Sequence, residues 1–362
     1  MLIGILTVVL LIVIVTAIFV NTSPQFGGTP KVADLERIKN SKHYKNKAFV
    51  NDELTLASTG FKWQSLFQFF TNGNNKVPLK QLPQNNLNTS FFKTKPSKPR
   101  VTWFGHSALF LEIEGINVFI DPMLGNVPAP HPLLGSERFN KDLPISIENL
   151  PAIDLVLISH DHYDHLDYGS IIRLKDKVKQ FYVPLGIKAH LTAWGVPANR
   201  IKEFDWWETS VFNNIEFVST PARHFSGRGF TRNKTFWCSW VIKSKNNSIF
   251  FSGDSGYGKH FKTIGNMYGP FDFAMMECGQ YNEQWAHIHM MPEETIQASI
   301  DVKANYMMPI HWGAFKLALH TWVDPVERAL KAAKSKHVNI ATPIIGEPFV
   351  IGDEYPEKLW WE

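Results

Sequence analysis

Leu157-Ile158-Ser159-His160-Asp161-His162-Tyr163-Asp164-His165 is the stretch on which the reading of this chain turns. An apolar run, DLVLI at 154–158, stops, and four side chains able to hold a metal follow within six residues. His160 and His162, on a loop just past a strand end, are placed to converge on one ion. Asp164 and His165 then face a second ion beside it. Imidazole and carboxylate together suit zinc, and other divalent transition metals such as iron or manganese also accept this donor set. A single His here would usually be an ordinary hydrogen-bonded loop residue. An HxHxDH cluster at a strand end reads as metal binding.

Three more residues extend the pattern, each at the end of a predicted strand. His224 follows IEFVSTPAR, Asp254 follows SIFFSG, and His311 follows YMMPI. Taken singly, each is more often a plain loop residue than a ligand. Taken together, with Asp254 shared, they give each of two ions four protein contacts and leave no ligand over. His106 and Asp121 also sit near strand ends. They are either partners that orient ligating imidazoles or a buried polar pair that holds a turn.

Around these residues, short β-rich runs succeed one another from Val101 onward: VTWF (101–104), ALFLEI (108–113), NVFI (117–120), FYVP (181–184), WCSWVI (237–242) and FAMM (273–276). Helical patterns fill gaps at Tyr168–Lys175, at Pro292–Val302, which opens with Pro and two Glu, and at Pro325–Lys334. Many short strands with interspersed helices predict two packed sheets with helices outside, in a catalytic domain over 101–362. The content of 44% hydrophobic residues is ample for such a core, and 12 Trp with 27 Phe fit a thick core or a lipid-facing surface equally. Trp206 and Trp207 read as packing residues. With only Cys238 and Cys278 present, no disulfide framework is expected, and two buried thiols are the plain reading. A net charge of +4 is too weak to argue for nucleic acid, but fits an anionic substrate or membrane surface.

Residues 2–20, LIGILTVVLLIVIVTAIFV, carry no charge. About 20 such residues span a bilayer core. No basic residue precedes the run and no small-x-small cleavage site follows it, so an uncleaved single-pass anchor over 1–22 is expected rather than a signal peptide. Lys31, Arg37, Lys39 and Lys42 follow it, which favours a cytoplasmic catalytic domain. Residues 23–100 read as an irregular polar lead-in ending in a Pro/Lys-rich linker. Within it Trp63, Leu66, Phe67 and Phe70 fall on one face of a short amphipathic helix, which either packs on the core or lies in the headgroup region of a membrane.

The order HxHxDH, then His, Asp and His, resembles the metallo-β-lactamase superfamily. Within it the chain is similar to N-acylphosphatidylethanolamine-hydrolysing phospholipases D and their bacterial relatives. The likeness is carried by Trp103-Phe104-Gly105-His106-Ser107, Asp121-Pro122, IDLVLISHDHYDHLDY (153–168), FDWWE (204–208), FFSGDSGY (250–257), GPFD (269–272) and IHWGAF (310–315). It implies an αββα sandwich behind the anchor and two zinc ions. His160, His162, His224 and Asp254 would hold one ion; Asp164, His165, Asp254 and His311 would hold the other, with Asp164 also counted among the catalytic residues. It implies a functional His before Pro-Glu-Glu, matched by His289 in HMMPEE, with His287 the competing position. The implied reaction is hydrolysis of a phospholipid or other small phosphodiester to phosphatidic acid and an N-acylethanolamine, at a membrane. A lactonase or other carboxyl-ester hydrolase would use the same metals, and a non-enzymatic metal-binding membrane module would need no proton donor. A flavodiiron-type redox role is disfavoured, because that class has Glu where His162 stands.

Overall fold

The chain's apolar runs form two β-sheets in this computed structural model, which describes residues 1–58, 60 and 75–362; the stretch with Trp63, Leu66, Phe67 and Phe70 lies outside them. After a small hairpin of Tyr44–Lys45 (β1) and Ala48–Phe49 (β2) come Arg100–Trp103 (β3), Leu109–Ile113 (β4), Ile116–Ile120 (β5), Ile153–Leu157 (β6), Val178–Pro184 (β7) and Ile201–Phe204 (β8). Then follow Thr209–Phe212 (β9), Ile215–Thr220 (β10), Ser239–Lys243 (β11), Ser248–Phe251 (β12), Phe271–Glu277 (β13), Ala304–Ile310 (β14) and Pro348–Val350 (β15). One sheet runs in the order β15-β3-β4-β5-β6-β7-β8 and the other β14-β13-β12-β11-β10-β9. Pairing is antiparallel from β15 to β5 and parallel from β5 to β8; β12, β13 and β14 are also parallel.

Strand periodicity builds the layers, because successive side chains leave a strand on opposite faces. Along β5, Val118 and Ile120 enter the core between the sheets, while Phe119 joins the outer core beneath helices Tyr168–Leu174 and Lys188–Ala193. Along β12, Ile249 and Phe251 point inward, and Phe250 points to the other outer core. The helices there are His260–Met267, Pro292–Asp301 and Asp324–Lys336. The result is the helix–sheet–sheet–helix sandwich expected above. In chain order the helices are α1 (Leu2–Thr22), α2 (Val32–Asn40), α3 (Tyr168–Leu174), α4 (Lys188–Ala193), α5 (His260–Met267), α6 (Pro292–Asp301) and α7 (Asp324–Lys336) among the described residues.

Local chemistry explains several boundaries. Asp167 caps α3 by accepting from Ser170 N at 2.7 Å, and Glu294 reaches back to Met291 N at 3.0 Å at the start of α6. Helix α5 was not expected, since Gly265 weakens it. That glycine is there for close packing: a Cβ would stand 2.1 Å from Asp301 O of α6. Strands β8, β9 and β15 were also missed. They are short edge strands, and β15 begins with Pro, so they lack the apolar run that marks a central strand. The stretch before Arg100 contributes Ile38 and Phe49 to the inter-sheet core and Phe92 to an outer one.

The helix α1 is long and apolar enough to cross a membrane, and none of its residues is buried. Its end is clasped to the sandwich. Trp194 Nε1 donates to Pro24 O at 2.7 Å, Arg228 Nε to Gln25 O at 2.7 Å, and Gly28 N to His190 Nδ1 at 3.1 Å. Gly27 has φ +81, and a Cβ on it would stand 2.0 Å from His190 Nδ1.

Candidate metal centre

The residues singled out from the sequence meet at one edge of the sandwich, because each follows the end of a strand. His106 comes after β3, Asp121 after β5, His160 to His165 after β6, His224 after β10, Asp254 after β12 and His311 after β14. His289 approaches from the segment before α6.

Two groups form. In the first, His160 Nε2 lies 2.9 Å and His224 Nε2 3.2 Å from His162 Nδ1. The remaining nitrogens fix the tautomers. His224 Nδ1–H donates to Ile288 O at 2.9 Å. Ser159 Oγ donates to Asp121 Oδ2 at 2.5 Å and so accepts from His160 Nδ1–H at 2.9 Å. Lone pairs of His160 Nε2 and His224 Nε2 therefore both face His162 Nδ1, which offers one hydrogen at most. A cation between the three rings satisfies all of them; a hydrogen bond satisfies only one.

The second group gathers Asp164, His165 and His311, with His106 beside them, their ligand atoms within 4.8 Å of one another. Asp254 belongs to both halves. Its Oδ2 is 3.1 Å from His165 Nε2, 3.7 Å from His160 Nε2 and 3.8 Å from His224 Nε2, and its Oδ1 is 3.1 Å from His311 Nδ1. His165 Nε2 and Asp254 Oδ1 are buried and make no hydrogen bond, as expected of atoms shaped for an ion.

Electrostatics agree with this fit at three imidazoles, whereas at His165 burial is outweighed by the neighbouring carboxylates of Asp254 and Asp164, which raise it well above the usual range. Burial holds the imidazoles of His160, His224 and His311 well below their usual range, which keeps them neutral and able to coordinate. Burial opposes ionisation of Asp164 and Asp254. The histidines around them, His165 foremost, outweigh it and hold both carboxyls well below the carboxylate range.

The role left open for His106 and Asp121 is visible here. His106 Nε2–H donates to Asp164 Oδ2 at 2.8 Å, and His165 Nδ1–H donates to Asp121 Oδ2 at 2.7 Å. Both orient members of the second group. Of the two histidines before Pro292, His289 is within 4.8 Å of His224 and Asp254, whereas His287 Nδ1 accepts from Leu56 N at 3.2 Å. Cys238 and Cys278 are buried and unpaired, and Trp206 is buried.

Three partners were not found from the sequence. Glu277, fully buried at the end of β13, lies 2.7 Å from His289 Nδ1. Asp161, inside the HDHYDH stretch, points away from the ligands and accepts from Gly227 N at 2.7 Å and Thr235 Oγ1 at 2.8 Å. Arg228 donates through Nη1 to Asp161 O and Leu166 O, bracing the loop at both ends. No sequence signal marks these long-range contacts, except that a lone Glu closing an apolar strand is unusual.

Comparison with known proteins matches residues 116–312 to the Beta-lactamase superfamily domain. An uncharacterised protein of Mycobacterium tuberculosis is 42% identical over 278 residues, 75% of this chain and 74% of that protein. N-acyl-phosphatidylethanolamine-hydrolyzing phospholipase D 1 of Caenorhabditis elegans is 32% identical over 256 residues, 67% of this chain and 71% of that protein. The solved metallo hydrolase Igni18 of Ignicoccus hospitalis superposes with a TM-score of 0.53 at 21% identity, covering 71% of this chain and all of that one, a likeness of fold. The chain thus belongs to the metallo-β-lactamase superfamily, as one of its metal-dependent hydrolases.

Proposed function

We propose that this chain is a membrane-anchored dinuclear zinc phosphodiesterase of phospholipase D type, acting on N-acylphosphatidylethanolamine-like lipids. The observation that carries the reading is Asp254, shared between two donor groups, with His289 beside it. His160, His162, His224 and Asp254 would hold one ion, and Asp164, His165, His311 and Asp254 the other. When bound, two divalent cations lower the pKa of water and neutralise charge on a phosphoryl group.

The chain's own residues do the rest. Asp121 and His106 keep His165 and Asp164 in place. Water oxygen joins phosphorus and gives up a proton to solvent, the bond from phosphorus to the ethanolamine oxygen breaks, and the departing oxygen needs a proton. His289 supplies it from Nε2, since Nδ1 is engaged by Glu277. The products are phosphatidic acid and an N-acylethanolamine. The name and likeness of the nematode relative support this substrate class. The apolar α1 supports a site at the membrane, where such a lipid resides, and the basic residues after it support a cytoplasmic catalytic domain.

The test is a panel of N-acylphosphatidylethanolamine, a nitrophenyl phosphodiester and a lactone, offered to the metal-loaded full chain in micelles. His289→Ala should keep two metals per chain while lipid turnover drops roughly 10²–10⁴-fold, with a smaller drop for the nitrophenyl ester, whose leaving group needs no proton. Equal loss on both would make His289 a substrate-positioning residue. Lactone turnover without phosphodiester turnover would replace the reading with a carboxyl-ester hydrolase.

A further inference from the structure

Two loops, which follow Asp121 and His224 in the chain, reach the exit of α1, and both carry exposed apolar side chains. One leads from Asp121. Its His131 ring lies 6.1 Å from Phe19 of α1, and the turn that His131 opens exposes Leu133 (87%) and Leu134 (65%) to solvent. The other leads from His224. Its Gly229 packs on Phe26, and the next residue, Phe230, is 82% exposed and lines one cavity together with Val20 and Asn21.

Short ring contacts tie this face to the centre. Phe26 meets Tyr163 edge-on at 6.5 Å, next in sequence to His162, and Phe225 meets the His162 ring at 4.5 Å. Because Pro24, Gln25 and Gly28 are bonded to the sandwich, no slack separates α1 from these loops.

We propose that loops 127–135 and 227–232, together with the end of α1, form one lipid-contacting face. It sits in the headgroup layer, so that substrate reaches the metal centre from the leaflet in which α1 ends. The inference rests on α1 spanning a bilayer. The occupant is lipid because the patch continues directly from an apolar helix with no buried residue; a protein partner would have to cover that helix as well. Exposed Arg232 in the second loop places a cation at headgroup level, as interfacial segments do.

Site-specific fluorescence on the full chain tests this. Cys238 and Cys278 are buried, so a thiol-reactive environment-sensitive dye on Leu133→Cys or Phe230→Cys reports that position alone. Met267→Cys is the control, being 56% exposed and preceding β13, whose far end is Glu277 at the metal centre. The protein is reconstituted in vesicles of phosphatidylcholine and phosphatidylglycerol, with nitroxide-labelled lipid as quencher. Dyes at 133 and 230 should shift to the blue and be quenched, and the dye at 267 should not change. Dyes at 133 and 230 as solvent-like as that at 267, in chains that resist alkaline extraction, would overturn the proposal while leaving the anchor intact. Chains released by alkaline extraction would overturn the anchor and the proposal with it.

Discussion

His289 Nδ1 lies 2.7 Å from Oε1 of Glu277, a carboxylate with no exposure to solvent. Burial pushes the Glu277 carboxyl up to about 8, against the pull of His289. Burial alone would lower His289, but the hydrogen bond and charge of Glu277 outweigh it and raise it. The contact engages Nδ1 of His289 and leaves Nε2 for the metal centre.

Glu277→Gln should therefore lower turnover roughly 10–100-fold with metal content unchanged, the usual scale for a residue that orients a functional histidine. A proton donor works below its pKa and fails above it. Removing the contact that raises His289 should move the alkaline limb of the kcat profile to lower pH. A pH series on the variant with the limb unmoved would remove Glu277 from the reaction.

Asp254→Asn replaces the carboxylate that the two donor groups share. The fold should persist, while metal per chain falls below two and turnover drops by orders of magnitude. Elemental analysis alongside turnover decides this; two metals with near-normal turnover would refute the shared-ligand assignment.

Gly27→Ala forces a Cβ into the ring of His190 at a φ of +81, where side chains are disfavoured. We expect a loss of about 1–3 kcal/mol, visible as a lower denaturant midpoint. In the His190→Ala background the loss should shrink toward the backbone term alone. A midpoint equal to that of the unchanged protein would mean that the clasp does not hold in solution.

His260, its ring packed 4.1 Å from that of Phe261, is lowered to about 3, chiefly by burial and then by the charge of Arg223. The unfolded chain takes up this proton near pH 6.5 and the folded chain only near 3, so stability falls as pH drops between them. In His260→Gln the acid-side decline should be shallower by up to about 1.4 kcal/mol per pH unit, the worth of one proton. Parallel midpoints for the two proteins across that window would contradict the assignment.

The central strands were legible because their apolar runs are long enough to cross a two-sided core. β12 was expected at its observed bounds, and β6 within one residue. Edge strands β8, β9 and β15 were not: polar residues such as Lys202 and Ser210 break the pattern of the first two, and β15 is only three residues long and opens on Pro. The seven residues proposed as ligands stand out in the sequence because His and Asp at successive strand ends are conspicuous, and the structure brings them together. Glu277 and Arg228 were invisible, because what defines them is a partner 12 residues away in one case and more than 60 in the other.

The backbone at the metal centre adds a consequence for evolution and engineering. His106, Asp121 and His311 hold φ values of +54, +41 and +68, a left-handed region in which glycine would be more at ease. At these three positions the local chain and the chemistry want different residues. Selection for stability alone would drift toward glycine there and dismantle the centre, so a stabilised version of this enzyme must find its gains in the sheets and helices and leave these corners frustrated.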